Sequence, residues 1–171
     1  SACETLGISR DELYEQLHQR ADRLIQLERG GHTLQPTALL HEAYLRMAQS
    51  GQSFQDESHF VASASIVLRH VLVNYARSRN TQKRGGQLVR VPIDEIAEEF
   101  QESAVDILAL DEALQELARN DPAQHRLVEL RFFGGMTNQQ AAKVLGISER
   151  SAYSEWAHAR AWLKHRIGAQ A

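Results

Sequence analysis

The chain has 171 residues, a formal net charge of −3 and 43% hydrophobic residues, a composition typical of one or two small globular domains. The single cysteine, Cys3, excludes an internal disulfide framework, and no apolar run approaches the roughly 20 residues of a membrane-spanning helix. Without a signal-peptide pattern, the sequence predicts a cytoplasmic protein with no membrane contact. Three prolines and few alternating β-branched runs predict an all-α fold.

The first part of the chain carries three predicted helices, each with apolar residues at helical spacing. They span about 9–29, 36–50 and 57–79. The first opens with a capping box formed by Ser9 and Glu12. Their apolar stripes predict one compact helical unit.

Charge is segregated along the middle of the chain. Between Arg69 and Arg90 there are six cations and no acid, whereas between Asp94 and Glu116 there are nine acids and no lysine or arginine. This pattern predicts one surface for phosphates and a neighbouring segment that avoids or mimics them. Because glycines and a proline interrupt 82–104, which has little apolar repeat, we expect a linker there.

Two further helices are predicted at 106–119 and 122–133, followed by a helix-turn-helix pattern in 137–163. Thr137 and Gln140 predict a capping box, and Gly146 provides the sharp turn. We expect Ile147 to fill this turn and Ser148 to cap the second helix. Two caps, small residues and a turn glycine in register favour DNA binding over a helical hairpin that only packs. The residues placed to reach DNA are Ser148, Glu149, Arg150, Ser151, Tyr153 and Ser154.

The later part of the final helix is expected to pack back on the unit. Its apolar residues Trp156, Ala159, Ala161 and Leu163 are predicted to contact Leu130 and Phe133.

Three segments of the sequence carry a family resemblance: HTLQPTALLHEAYLR (32–46), HFVASASIVLRHVLVNYARSRNTQKRGG (59–86) and ELRFFGGMTNQQAAKVLGIS (129–148) with SEWAHARAWL (154–163). They resemble a branch of the extracytoplasmic-function (ECF) sigma factors of the bacterial sigma-70 family. The resemblance implies a sigma region 2 domain at 9–86, an acidic linker at 87–105 and a region 4 domain at 106–168. It also implies an alternative sigma factor that directs core RNA polymerase to specific promoters and initiates transcription.

The resemblance implies docking of the second helix on the clamp of the polymerase β′ subunit, with the β flap as a further contact. Exposed leucine and tyrosine side chains flanked by charge are typical of interface anchors. A position in the protein core remains an equal alternative for Leu40 and Tyr44. The implied polymerase-binding residues are Leu40, His41, Glu42, Tyr44, Leu45 and Arg46.

The third helix and its basic tail match the segment that reads and melts the −10 promoter element. Melting favours aromatic and polar side chains beside a basic track, because flipped bases must be held. A solvated basic face is the alternative, and Tyr75 also fits a core position. The candidates are Arg69, His70, Asn74, Tyr75, Arg77, Arg79, Lys83 and Arg84. The helix opening at Ser148 would read the −35 element, and the acidic linker would thread toward the polymerase active site.

Two features depart from the family pattern. In the recognition helix Arg150 is the only cation before Arg160, which predicts weak binding to free DNA. Relatives place acids before the clamp-binding helix, whereas 35–38 has none. We therefore hypothesise that a Ser/Thr protein kinase phosphorylates Thr37 and supplies the missing charge. The alternative is that Thr37 serves only as a helix cap.

Other classes of protein fit the sequence less well. The eight histidines lack metal-ligand spacing and no glycine-rich phosphate loop is present, so we expect neither an enzyme nor a cofactor or metal site. Two alternatives remain open: a free-standing helix-turn-helix transcriptional regulator, and a sigma-like polymerase-binding protein without promoter recognition.

Overall fold

The computed structural model describes residues 10–25, 36–50, 54–82, 90–92 and 104–168. Helices dominate this part of the chain, which confirms the predicted all-α class. They are α1 (Arg10–Ile25), α2 (Pro36–Gln49), α3 (Glu57–Gln82), α4 (Ile107–Asn120), α5 (Pro122–Phe132), α6 (Asn138–Leu145) and α7 (Glu149–Gly168).

The N-terminal unit consists of α1, α2 and α3, with α2 packed against both of the others. The stripes predicted from helical spacing are buried: Leu17 and Ala21 on α1, and Leu39 and Ala43 on α2, are at most 1% exposed. Phe54 precedes α3 and its ring contacts that of Phe60 edge to face, with centroids 5.1 Å apart. The ring contact ties the segment before α3 to the first turn of that helix.

Two short strands, which the sequence analysis did not predict, lie at the ends of the linker segment. Strands β1 (Arg90–Pro92) and β2 (Ala104–Asp106) pair antiparallel, with Val91 opposite Val105. Residues 83–89 and 93–103, which include most of the predicted acidic linker at 87–105, lie outside the described residues. Because β2 leads directly into α4, the strand pair anchors the start of the C-terminal unit.

Side-chain caps define the helices of the C-terminal unit, α4 to α7. The Asp106 carboxylate accepts a hydrogen bond from the Ala109 amide at 3.3 Å, and Asp121 caps α5 in the same way. The predicted capping box at Thr137 is present, since its hydroxyl accepts from the Gln140 amide and the Gln140 side chain accepts in return. A carboxylate or hydroxyl at a helix start satisfies amides that the helix itself leaves free.

The two units pack directly against each other. Helix α3 contacts α4, α5 and α6, and one buried apolar cluster runs through both units. Leu68 of α3 and Leu114 of α4, both fully buried, belong to this cluster. The sequence predicted two units but gave no basis for deciding whether they touch, because the contact joins residues far apart in the chain.

Two packing predictions are wrong. Ala161 is exposed, because Ala152, Trp156, Ala159 and Leu163 form the buried stripe of α7 and Ala161 lies on the other side of that helix. Ile147 does not fill the turn, since its side chain is 39% exposed.

Candidate nucleic-acid and polymerase interfaces

The helix-turn-helix presents the start of α7 to solvent. Gly146 ends α6 in the left-handed conformation, with φ of 67°, where glycine avoids the steric penalty of a Cβ atom. The Ser148 hydroxyl then accepts a hydrogen bond from the Ser151 amide at 3.0 Å and so caps α7. All six side chains predicted to reach DNA are exposed, and Tyr153 is the most exposed large hydrophobic residue of the described chain, at 58%. They are Ser148, Glu149, Arg150, Ser151, Tyr153 and Ser154.

Contacts behind the recognition helix hold it in place. The Gln124 side chain of α5 donates to the Glu155 carboxylate at 2.7 Å. The guanidinium of Arg131 lies 4.5 Å from the ring centroid of buried Trp156 and donates to the Met136 carbonyl at 3.2 Å. Because these contacts tie α7 to α5 and to the turn before α6, the exposed face of α7 has a fixed orientation.

The exposed face of α2 carries the other predicted surface. Thr37, His41, Tyr44 and Leu45 are exposed, with Tyr44 at 38% and Leu45 at 41%. Their spacing of about one and two helical turns places them on one side of the helix. We call these four residues the α2 patch. Beside the patch, the Arg46 guanidinium donates to the Glu42 carboxylate at 2.7 Å.

Leu40 does not belong to this patch. It is fully buried, as are Leu39 and Ala43, so its place in the core corrects the polymerase-binding set predicted from the sequence. The structure therefore assigns the two residues to different places: Leu40 packs in the protein core, whereas Tyr44 lies at the surface.

On α3 the predicted −10 residues divide between surface and interior. His70, Asn74 and Arg77 are exposed along one side of the helix, whereas Tyr75 is half-buried and packs against the core. The side chain of Arg79, and the residues Lys83 and Arg84, lie outside the described part of the structure. The exposed side of α3 thus offers an imidazole, an amide and a guanidinium, groups that can bond bases or phosphates.

Arg69 is buried, contrary to its predicted place on the DNA-reading surface. It is 6% exposed, and its Nε and Nη2 atoms donate to Asp111 Oδ1 at 3.0 and 2.8 Å. Its Nη1 atom donates to Glu129 Oε1 at 3.2 Å and lies 2.9 Å from Nε2 of His125. All three guanidinium nitrogens therefore bond to α4 or α5 of the C-terminal unit.

The sequence analysis missed the partners of Arg69, although the sequence carries a signal for them. Asp111 lies within the apolar stripe of α4, and Glu129 lies between Val128 and Leu130. An acid inside an apolar stripe requires a cationic partner, because acids are almost never fully buried unless paired. Burial also lowers the pKa of His125.

In the described part of the chain, no helix is long and apolar enough to cross a membrane. Among the same residues, no three histidine, cysteine, aspartate or glutamate side chains are grouped to hold a metal ion.

The fold defines an all-α protein with a helix-turn-helix in its C-terminal unit. A family model described as ECF sigma factor matches residues 9–168, which is nearly the whole chain, so the chain belongs to the ECF sigma factor family. Proteins of this family are alternative sigma factors, non-enzymatic transcription initiation factors that bind core RNA polymerase and promoter DNA. A search of curated proteins and a search of solved structures each found no match.

Proposed function

We propose that this sigma factor directs core polymerase to specific promoters through three surfaces and that phosphorylation of Thr37 activates it. The α2 patch binds the β′ clamp, the exposed side of α3 with its basic continuation reads the −10 element, and the start of α7 reads the −35 element. The β flap contacts the C-terminal unit, and the acidic linker occupies the channel toward the active site. Family membership supports the partners, and exposure of the three surfaces supports the assignment of residues.

The observation that carries the activation step is the chemistry of the α2 patch. The first turn of α2 contains no acid, and Thr37 is exposed there on the same side as His41, Tyr44 and Leu45. A phosphate on Thr37 adds a charge of about −1.5 to −2, which the positive end of the helix dipole stabilises. It would place that charge beside the exposed side chains of His41, Tyr44 and Leu45. A Ser/Thr protein kinase is the partner that this modification requires.

The test compares binding to core RNA polymerase by the unmodified protein, the Thr37-phosphorylated protein, Thr37→Asp and Thr37→Ala. We expect the two charged forms to bind about tenfold more tightly than the other two, a difference of about 1.4 kcal/mol. Gln49→Asp is the matched control, because it adds the same charge at an exposed position at the far end of α2. It should bind like the unmodified protein.

The other outcomes of this titration discriminate among the remaining interpretations. Equal, tight binding by all forms would retain polymerase binding and reject the phosphorylation switch. No binding by any form would contradict the polymerase-binding surface and favour a free-standing helix-turn-helix regulator.

A second candidate function rests on the recognition helix. Arg150 is its only cation before Arg160, so few phosphates can be neutralised, and each contact contributes roughly 0.9 to the slope of log affinity against log salt. Such a helix suits a sigma-like protein that binds polymerase without recognising promoters. Run-off transcription with core enzyme separates the two functions. Specific transcripts are expected from a promoter-reading sigma factor, whereas polymerase binding without specific transcripts would favour the second candidate.

A further inference from the structure

Some of the polar side chains at the start of α7 are already engaged within the protein. The Ser148 and Ser151 hydroxyl oxygens lie 2.8 Å apart, and that of Ser148 also accepts from the Ser151 amide, so both belong to the helix cap. The Glu155 carboxylate accepts a hydrogen bond from the Gln124 side chain of α5 at 2.7 Å. These three groups are therefore occupied before any ligand binds.

The side chains of Arg150, Tyr153 and Ser154 differ from this first group. All three are exposed, and among the described residues they have no hydrogen-bond or ion-pair partner. Together with exposed Ala157 they occupy positions i, i+3, i+4 and i+7, which lie on one side of an α-helix. We call these four residues the α7 reading face.

The α7 reading face combines one cation with one large aromatic ring. The Arg150 guanidinium is a planar group of five N–H donors, and the Tyr153 side chain is 58% exposed. Ala157 adds only a methyl group, so it lets this side of the helix approach a groove closely. Because water disfavours apolar surface, the exposed ring gains free energy when an apolar group of a ligand covers it.

The chemistry of the DNA major groove matches both side chains. Guanine presents two acceptors there, N7 and O6, which one guanidinium can bond at the same time. Thymine presents its C5 methyl group, which apolar side chains contact. A serine hydroxyl can donate or accept, so Ser154 discriminates little between bases. The α7 reading face therefore fits a guanine together with a thymine.

The separation of Arg150 and Tyr153 along α7 limits how far apart these two bases lie. Three positions along the helix correspond to about 4.5 Å, at a rise of about 1.5 Å per residue. Stacked base pairs are about 3.4 Å apart. A recognition helix that lies in the groove therefore places the two side chains over adjacent base pairs, or over base pairs at most about two apart.

We propose that Tyr153 is a specificity-determining residue, whose ring covers the methyl group of a thymine within about two base pairs of a guanine bonded by Arg150. This inference rests on the proposed role of α7 at the −35 element and adds the base chemistry that the helix reads. The contact of Arg131 with buried Trp156 keeps the reading face in one orientation, which fixed base positions require.

The first part of the test identifies the DNA sequence that the full chain prefers. The probe is a library of duplex DNA randomised over about 12 base pairs, slightly more than one helical turn. Binding is selected at about 50 mM salt, where phosphate contacts are strongest. We expect a guanine with a thymine within about two base pairs on either strand. Arg150→Ala should remove the guanine preference, which amounts to roughly tenfold in affinity.

The second part of the test removes only the methyl group, by replacing the selected thymine with uracil. We expect this replacement to lower the affinity of the wild type about fourfold, the effect of exposing one buried methyl-sized group. Tyr153→Phe is the matched control, because it keeps the ring, and it should show the same loss. Tyr153→Ala should bind the two DNAs equally. Circular dichroism checks that each variant keeps its helices.

Three results would overturn the inference alone. They are equal binding of the thymine and uracil DNAs by the wild type, a uracil effect that persists in Tyr153→Ala, and a uracil effect that disappears in Tyr153→Phe. In each case a selected sequence would still support reading of DNA by the protein.

A different result would reach further. If the selection enriched no sequence, the proposed role of α7 at the −35 element would fail together with the inference. The polymerase titration of the Thr37 forms does not depend on this selection, so polymerase binding is judged separately.

Discussion

At the scale of residues, His125 makes the contact of buried Arg69 with the C-terminal unit sensitive to pH. Its Nε2 atom lies 2.9 Å from Nη1 of Arg69, so only the neutral ring can accept that hydrogen bond. Burial lowers the pKa of His125 below 6.5; nearby Glu129 opposes this shift, and the cations of Arg69 and Arg126 reinforce it. Asp111 also faces the ring and favours its charged form. Burial nevertheless has the largest effect, so the packed arrangement of the two units favours neutral His125.

The lowered pKa predicts the direction of the response to acid. With the two units apart, His125 would bind a proton more readily, so their packed arrangement is most stable above about pH 6.5 and loses stability as the pH falls from there through the lowered pKa. We expect the radius of gyration to increase between about pH 7.5 and about pH 5.5. His125→Gln, whose side-chain oxygen can accept from Arg69, should abolish this increase. If His125→Gln expanded as the wild type does, other groups would be responsible.

The sequence predicted the exposure of individual residues correctly where helical spacing alone decides which side chains face solvent. The six exposed residues at the start of α7 follow from the cap at Ser148 and the helical period. Prediction from spacing failed for Leu40 and Arg69. Which side of α2 faces α3 decides the burial of Leu40, and a carboxylate 42 positions further along the chain decides that of Arg69. Neither partner can be identified from local sequence.

At the scale of elements, the caps and turn glycines made the helices predictable. The paired strands were missed because three-residue strands form only through a partner elsewhere in the chain, and their own sequence carries little signal. Thr137, Gly146 and Ser148, in contrast, each fix a helix boundary within a few residues of themselves. Local chemistry therefore predicted most of the helix-turn-helix, while the strand pair depended on long-range contact.

The turns around α6 predict an order of stability among glycine substitutions. A Cβ atom at Gly134 would overlap the backbone carbonyl of Leu130, whereas at Gly146 it meets no atom but imposes a left-handed conformation on alanine. We expect Gly134→Ala to lower the free energy of unfolding by about 2 kcal/mol or more. Gly146→Ala should lower it by about 1 kcal/mol.

Urea denaturation of each variant measures these differences. Gly168→Ala is the control, because Gly168 lies at the end of α7 with open space around it and no positive φ. Its free energy of unfolding should match that of the wild type to within a few tenths of a kcal/mol. A larger loss for Gly146→Ala than for Gly134→Ala would contradict the backbone overlap at Gly134.

At the scale of the whole molecule, the cation-rich and acid-rich parts of the sequence meet in ion pairs between the two units. Asp111 belongs to the acid-rich part of the sequence, and Arg69 and Arg77 belong to the cation-rich part. The sequence predicted that one segment would avoid or mimic phosphates, and the Asp111 carboxylate bonds both of these cations. These ion pairs join α3 of one unit to α4 of the other. They therefore depend on how the two units pack, which composition cannot specify.

The shared core and the buried ion pairs of Arg69 with Asp111 and Glu129 together predict how the protein unfolds. Apolar residues of both units form one buried cluster, and breaking the contact would expose that surface together with the buried carboxylates. The wild type should therefore unfold in urea in one cooperative transition that secondary-structure and fluorescence signals report alike. Asp111→Asn uncouples the units and should separate these signals into two transitions, whereas Glu112→Gln should keep one. Two transitions in the wild type would mean that α1–α3 and α4–α7 already unfold independently, which would contradict coupling of the two units through the Arg69 ion pairs.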